Sequence, residues 1–212
     1  MALSKGKKLT IFVIALLVID QVTKILVKTN MTLGQSIPVF GDWFQIYFVE
    51  NVGMAFGMAF GGNVGKLLLS VFRIALGIAL FFYIRKLLTR NDVPGGVLYG
   101  LAAIMCGAVG NIFDSLFYGL IFSESGFTQV ATMFPPGGGY AGPFFGKVVD
   151  MLYFPIIDTT LPDWFPIWGG KPFHFFSAIF NFADSCITVG AFYLIIFQWR
   201  FFATKDAGKE NA

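Results

Sequence analysis

The sequence predicts an all-α membrane protein: four transmembrane helices, with a small β-sheet and an irregular cap on the outer side of the bilayer. Three observations carry that expectation. Hydrophobic residues make up 56% of the 212 and charged residues only 13%, where a soluble domain has about a quarter charged. Mean hydropathy is +0.73, and four apolar stretches are each long enough to cross roughly 30 Å of hydrocarbon. The Lys and Arg residues also gather in connections that would share one side. Little polar sequence remains for a separate soluble unit, so residues 1–212 are expected to form a single integral membrane domain.

The first span runs from about Leu9 to Val27. Lys5, Lys7 and Lys8 precede it, so it imitates a signal peptide. No small-x-small cleavage pattern follows it, and Asp20 interrupts it, so it reads as a retained helix. The connection 29–65 contains Trp43–Glu50 (WFQIYFVE), aromatic and β-branched, which reads as a strand of a small surface sheet. The second span is about Leu67–Leu88. The third is about Pro94–Phe122 and is rich in Gly. The stretch 123–146 holds Pro135-Pro136 and Gly137-Gly138-Gly139 and reads as irregular. The stretch 151–172 carries Tyr153, Trp164 and Trp168, rings suited to the headgroup zone. The fourth span is about Phe173–Phe202.

Nine of the fifteen Lys and Arg residues share one side of this arrangement: Lys5, Lys7, Lys8, Arg85, Lys86, Arg90, Arg200, Lys205 and Lys209. Only Lys28, Lys66, Lys147 and Lys171 lie in or beside the opposite connections. The positive-inside rule then places both termini and the turn Lys86–Val93 in the cytoplasm, with 29–65 and 123–172 outside. The net charge of +3 is small and gives no reason to expect a nucleic-acid partner.

Four carboxylates lie in or beside the apolar runs: Asp20, Asp114, Asp150 and Asp184. An ionisable group at membrane depth is costly and generally paired or functional. Asp20 and Lys24 are four residues apart, spaced to pair on one helical face. A structural ion pair is the favoured reading, direct contact with a ligand the other. Asn51–Gly57 follows the strand; its Asn gives a donor and an acceptor, and Gly53 allows close backbone approach, although taken alone a turn is the more common explanation. Asn111 and Asp114 share a face beside the small residues Gly107, Ala108 and Gly110, which suits hydrogen-bonded scaffolding between closely packed helices. Asp150 precedes the aromatic outer stretch. Asn181 and Asp184 share a face near the outer start of the fourth span. Each acid alone would pass for a cap or polar anchor, but two acids entering and leaving one outer cap suggest acid–base chemistry. Cys106 and Cys186 read as packing residues. His174 is the only histidine, which excludes an HExxH zinc site, where two are needed.

In order, these blocks are Asp20-Gln21-Val22-Thr23-Lys24, Asn51 to Phe56, Gly110-Asn111-Ile112-Phe113-Asp114, Val148-Val149-Asp150 and Phe180-Asn181-Phe182-Ala183-Asp184. The ordered set, over about residues 9 to 200, resembles the prolipoprotein signal peptidase (signal peptidase II) family. The resemblance implies an aspartic endopeptidase of the bacterial inner membrane that cleaves diacylglyceryl-modified prolipoproteins before the lipidated cysteine. Its catalytic pair would be Asp150 and Asp184, near the periplasmic face. Asp20, Lys24, Asn51, Gly53, Asn111, Asp114 and Asn181 would be its supporting or substrate-binding positions. It implies contact with membrane lipid, inhibition by globomycin-type peptides, no cofactor and no metal; a monomer is expected. The family commonly has Arg directly after the acid of the third block, where this chain has Ser115, which removes a salt-bridge partner for Asp114. The stretch 123–146 reads as an insertion. The rival expectation is a proton-coupled transporter with intramembrane carboxylates, which the lack of a detectable repeat disfavours.

Overall fold

The computed structural model describes residues 3–52 and 62–207. Gly53 and the rest of the block to Gly57 lie outside the described residues, as does Lys209. The chain runs through α1 (Lys5–Asn30), β1 (Ser36–Phe40), β2 (Phe44–Asn51), α2 (Gly62–Leu88) and α3 (Gly95–Phe113). A π-helical turn (Asp114–Tyr118) and α4 (Gly119–Ile121) continue α3. Then come β3 (Val148–Tyr153), β4 (Ile157–Thr160), β5 (Pro172–Phe175), β6 (Ile179–Phe180), α5 (Phe182–Phe197) and α6 (Trp199–Ala207).

Among the described residues, three helical stretches are long and apolar enough to cross a membrane: α1, α2 and the continuous run Gly95–Ile121. Their polarity is inverted relative to a soluble bundle. On α1 the apolar Ile11, Ile14, Val18, Val22 and Leu26 are exposed, while Asp20, Lys24 and Lys28 are buried. Lipid replaces water outside, so the charged groups turn inward to meet partners.

The fourth stretch differs from the sequence expectation. Residues 172–175 pair with β4, and Ile179–Phe180 pairs with β3. The helix starts only at Phe182, because Asn181 and Asp184 form a reciprocal capping box. The resulting α5 has 16 residues, about 24 Å long, and ends at Gln198 before α6. Apolar composition alone could not separate strand from helix here.

A four-stranded antiparallel sheet in the order β1-β2-β3-β6 covers one end of the helices, and β4-β5 form a separate hairpin. The strand expected at 43–50 is β2; β1, not anticipated, pairs with it. The stretch 123–146 is irregular, as expected, but it is well seated. Its backbone meets carbonyls at the end of the third helical run: Gly146 N donates to Ser115 O (2.9 Å), Ala141 N to Gly119 O (2.9 Å), Tyr140 N to Phe122 O (3.0 Å) and Phe134 N to Ile121 O (2.7 Å). Orphan helix-end carbonyls must find such partners when water is excluded.

Two apolar clusters frame the interior. One includes Leu9, Leu87, Val97, Leu101 and Leu194. The other, beneath the sheet, includes Val27, Phe48, Tyr118, Phe122, Val149 and Met151. Asp20 and Lys24 fall on α1 between Leu9 and Val27, in the layer separating the clusters. The helices α3 and α5 approach closely through small residues. A Cβ at Gly107 would lie 2.2 Å from Ala183 O. Gly107→Ala is therefore expected to destabilise the fold by about 1–3 kcal/mol, read as a lower unfolding midpoint in detergent. Gly95→Ala, where a Cβ meets nothing within 4 Å, should leave that midpoint unchanged.

Candidate functional site

Lys24 is the centre of the polar layer. Its ammonium is wholly buried and lies 3.0 Å from Asp20 Oδ2 and 2.8 Å from Asp114 Oδ2. It also donates to Asn111 Oδ1 at 3.0 Å. The Asp20–Lys24 pair expected from the i, i+4 spacing is present. The salt-bridge partner that Ser115 denies Asp114 is supplied by Lys24, from a different helix. Ser115 itself donates to Asn111 O at 3.0 Å.

Each carboxylate of this layer has further donors. Asp20 Oδ1 accepts from the backbone N of Ala183 at 2.9 Å, joining α1 to the start of α5. Gln21 Nε2 donates to Asp20 Oδ2 (3.0 Å), to Asp114 Oδ1 (3.0 Å) and to Gly110 O (3.3 Å). Tyr118 OH donates to Gln21 Oε1 at 3.2 Å. Val149 N, on β3, stands 3.4 Å from Asp114 Oδ2. Gln21 and Tyr118 were not among the expected site residues. Gln21 lay visibly beside Asp20, whereas nothing in sequence ties Tyr118 to it.

Asp150 and Asp184 occupy a different setting. Asp150 sits on β3, directly opposite Val49 of β2, and is 4% exposed. Its Oδ1 accepts from Asn181 Nδ2 at 2.7 Å, and the Asn51 side chain also hydrogen-bonds it. Asp184 lies in the first turn of α5. Its Oδ1 accepts from Asn111 Nδ2 at 2.8 Å, and its Oδ2 from the Asn181 backbone N at 3.3 Å. Asn181 Nδ2 reaches Asn111 Oδ1 at 3.2 Å, and Asn181 Oδ1 accepts from Asp184 N at 2.9 Å. Two asparagine side chains thus join the two carboxylates. Asp150, Asp184, Asn51, Asn111 and Asn181 come together in one network, and Asp20, Lys24 and Asp114 support it through Asn111.

The hydrogen bonds to this pair come from neutral amides, with the Arg73 guanidinium acting on both carboxylates only through space, whereas an ammonium directly contacts the other two acids. Burial and the neighbouring Asp184 carboxylate push Asp150 up from 3.8 to about 7, against the opposing hydrogen bonds from Asn181 and Asn51. Such a group can hold and release a proton near neutral pH. Among the described residues, no group of three or more His, Cys, Asp or Glu side chains is placed to hold a metal ion.

Lys24→Met would leave Asp20 and Asp114 buried without their cation. It should cost about 3–5 kcal/mol, measured by denaturation in detergent. Asp150 gives a second stability signature. The folded value of about 7 lies above the ordinary 3.8, so between those values the native state holds a proton that the unfolded chain has released. The stability this group contributes is fully present below about pH 4 and is lost as pH rises through about 7. Asp150→Asn should flatten that decline in a series of melting curves.

The sequence profile of the Signal peptidase (SPase) II family matches residues 12–200. A lipoprotein signal peptidase of Porphyromonas gingivalis is 50% identical over 195 residues, covering 92% of this chain and 84% of the relative. One of Amoebophilus asiaticus is 38% identical over 182 residues, covering 84% and 72%. A bacterial membrane enzyme solved by the in meso method at 2.3 Å resolution shares the fold. Its TM-score is 0.59 at 21% identity, covering 94% of this chain and 92% of the other.

Proposed function

We propose that this chain, which belongs to the signal peptidase II family, is an aspartic endopeptidase with Asp150 and Asp184 as its catalytic pair. Its relatives are lipoprotein signal peptidases. The substrate is accordingly a prolipoprotein carrying a diacylglyceryl group, cut just before the lipidated cysteine. The transporter reading finds no support among these relatives.

The observation that carries the reading is the division between the four buried acids. Asp20 and Asp114 are held by Lys24. Asp150 and Asp184 meet on the Asn111–Asn181 pair without a cation in hydrogen-bond contact among the described residues. Two neighbouring carboxylates cannot both ionise cheaply, so the pair retains one proton. The ionised member takes a proton from water as the oxygen attacks the scissile carbonyl. The protonated member hydrogen-bonds that carbonyl oxygen and later protonates the leaving amine. Burial of Asp150 favours its holding the proton. Asn181 and Asn111 fix the carboxylates without neutralising them, which keeps both available for proton transfer.

The whole chain acts as one membrane domain. In this arrangement α5 continued by α6 makes a fourth crossing, both termini lie in the cytoplasm, and the sheet and the segments 29–65 and 123–172 face the periplasm of the inner membrane. The gathering of Lys and Arg near the termini and the α2–α3 turn supports that orientation. The site then opens where water can reach it while the substrate's acyl chains stay in lipid. The enzyme works as a monomer, and globomycin-type peptides inhibit it.

Cleavage of a lipid-modified prolipoprotein by purified enzyme tests this. Asp150→Asn and Asp184→Asn should each lower kcat by roughly 10³-fold or more while the protein still folds. Retention of wild-type cleavage by either variant would exclude the pair. The pH profile should be bell-shaped, with activity falling as Asp150 loses its proton at about pH 7.

A further inference from the structure

A second buried ionic cluster lies outside the site. Lys28, one turn beyond Lys24 on α1, is wholly buried and ion-paired with Glu50 Oε1. Lys28 Nζ also donates to Ser125 Oγ at 2.8 Å, and Ser125 Oγ donates to Glu50 Oε1 at 2.8 Å. Lys147 approaches Glu50 Oε2 at 3.4 Å and Glu124 Oε1 at 3.0 Å. The Lys28 ammonium lies 5.4 Å from the Phe122 ring centre and 5.1 Å from that of Tyr140. One carboxylate therefore fastens α1, β2 and both ends of the 123–147 segment.

Glu50 precedes Asn51, the last residue of β2. Glu50 pairs with Val149, Asn51 with Val148 and Val49 with Asp150. Cross-strand partners share a face, and neighbours along a strand alternate. Asn51 and Asp150 thus lie on one face of the sheet, and Glu50 on the other. A strand end frays unless something holds it. Two buried ions are also a costly way to gain stability alone; a fixed register is a return that apolar residues give less sharply.

We propose that Glu50 is a positioning residue for the catalytic pair: clamped by Lys28, Ser125 and Lys147, it holds the end of β2 so that the Asn51 side chain stays on Asp150. This rests on the assignment of Asp150 and Asp184 above. It gives the 123–147 segment a role in the reaction, since that segment supplies Ser125 and Lys147 to the clamp.

The test is steady-state cleavage of a lipid-modified prolipoprotein by the full-length enzyme and its variants. Glu50→Gln and Ser125→Ala should each lower kcat by about tenfold, as expected for a displaced active-site group, with KM unchanged. Asn51→Ala should lower kcat as well, and adding Glu50→Gln to it should cost nothing further, because both act through one contact. Wild-type kcat in folded Glu50→Gln and Ser125→Ala would overturn the proposal. So would a change confined to KM, additive losses in the double variant, or loss of folded protein in both single variants. Asp150→Asn serves as the control: if it still cleaves, the catalytic assignment itself fails, whereas its inactivity beside a fully active Glu50→Gln removes only the clamp.

Discussion

The buried ammonium of Lys24 is the interaction on which the interior depends. Within lipid, apolar surface alone does not select which helices meet, because the acyl chains are as apolar as the side chains. Lys24 supplies that selection. It binds Asp20 on its own helix, Asp114 on the π-helical turn and Asn111 on α3. Asp20 then reaches the backbone of α5 at Ala183, and Asn111 reaches Asp184. Taking three charges out of water costs several kcal/mol per ion, recovered only when nearly every lone pair and proton is met. The relative placement of α1, α3 and α5 is thereby restricted to the one arrangement that meets them.

The same layer separates four chemically identical side chains into two kinds. Asp20 and Asp114 touch an ammonium, which compensates their charge. Asp150 and Asp184 are met by side-chain amides and backbone N–H groups, which orient a carboxylate without cancelling its charge. Asn111 works on both sides of the boundary: its oxygen accepts from Lys24 and Asn181, and its nitrogen donates to Asp184. Environment, and not residue type, sets how each carboxylate is held.

Much of this was legible in the residues. The i, i+4 spacing of Asp20 and Lys24 announced their pairing, Trp43–Glu50 announced a strand, and the small residues around Gly107 announced close helix packing. Other features were not, for identifiable reasons. Phe and Ile over 173–180 suit either strand or helix, so the start of α5 depended on the Asn181–Asp184 cap. Ser115 leaves Asp114 without a basic neighbour in sequence, and spacing rules see only within one helix, whereas Lys24 arrives from another. Lys28, Glu50 and Ser125 are separated by up to 97 residues, and no local pattern connects them. Gly53 remains an expectation from its motif.

The register of β3 explains why an otherwise modest sheet is needed at all. Side chains alternate along a strand, so a slip of one residue would bring Val149 to the position of Asp150 and bury a carboxylate among Phe48, Tyr118 and Phe122. Val149 and Met151, packed in that apolar cluster, oppose the slip from one face. The hydrogen bonds from Asn181 and Asn51 to Asp150 oppose it from the other. A helix would offer no equivalent two-sided lock, since its faces merge over about 100° per residue. Placing one acid on a strand and the other in the first turn of a helix therefore fixes each by a different device, register for Asp150 and capping for Asp184. Their convergence does not rely on any single contact.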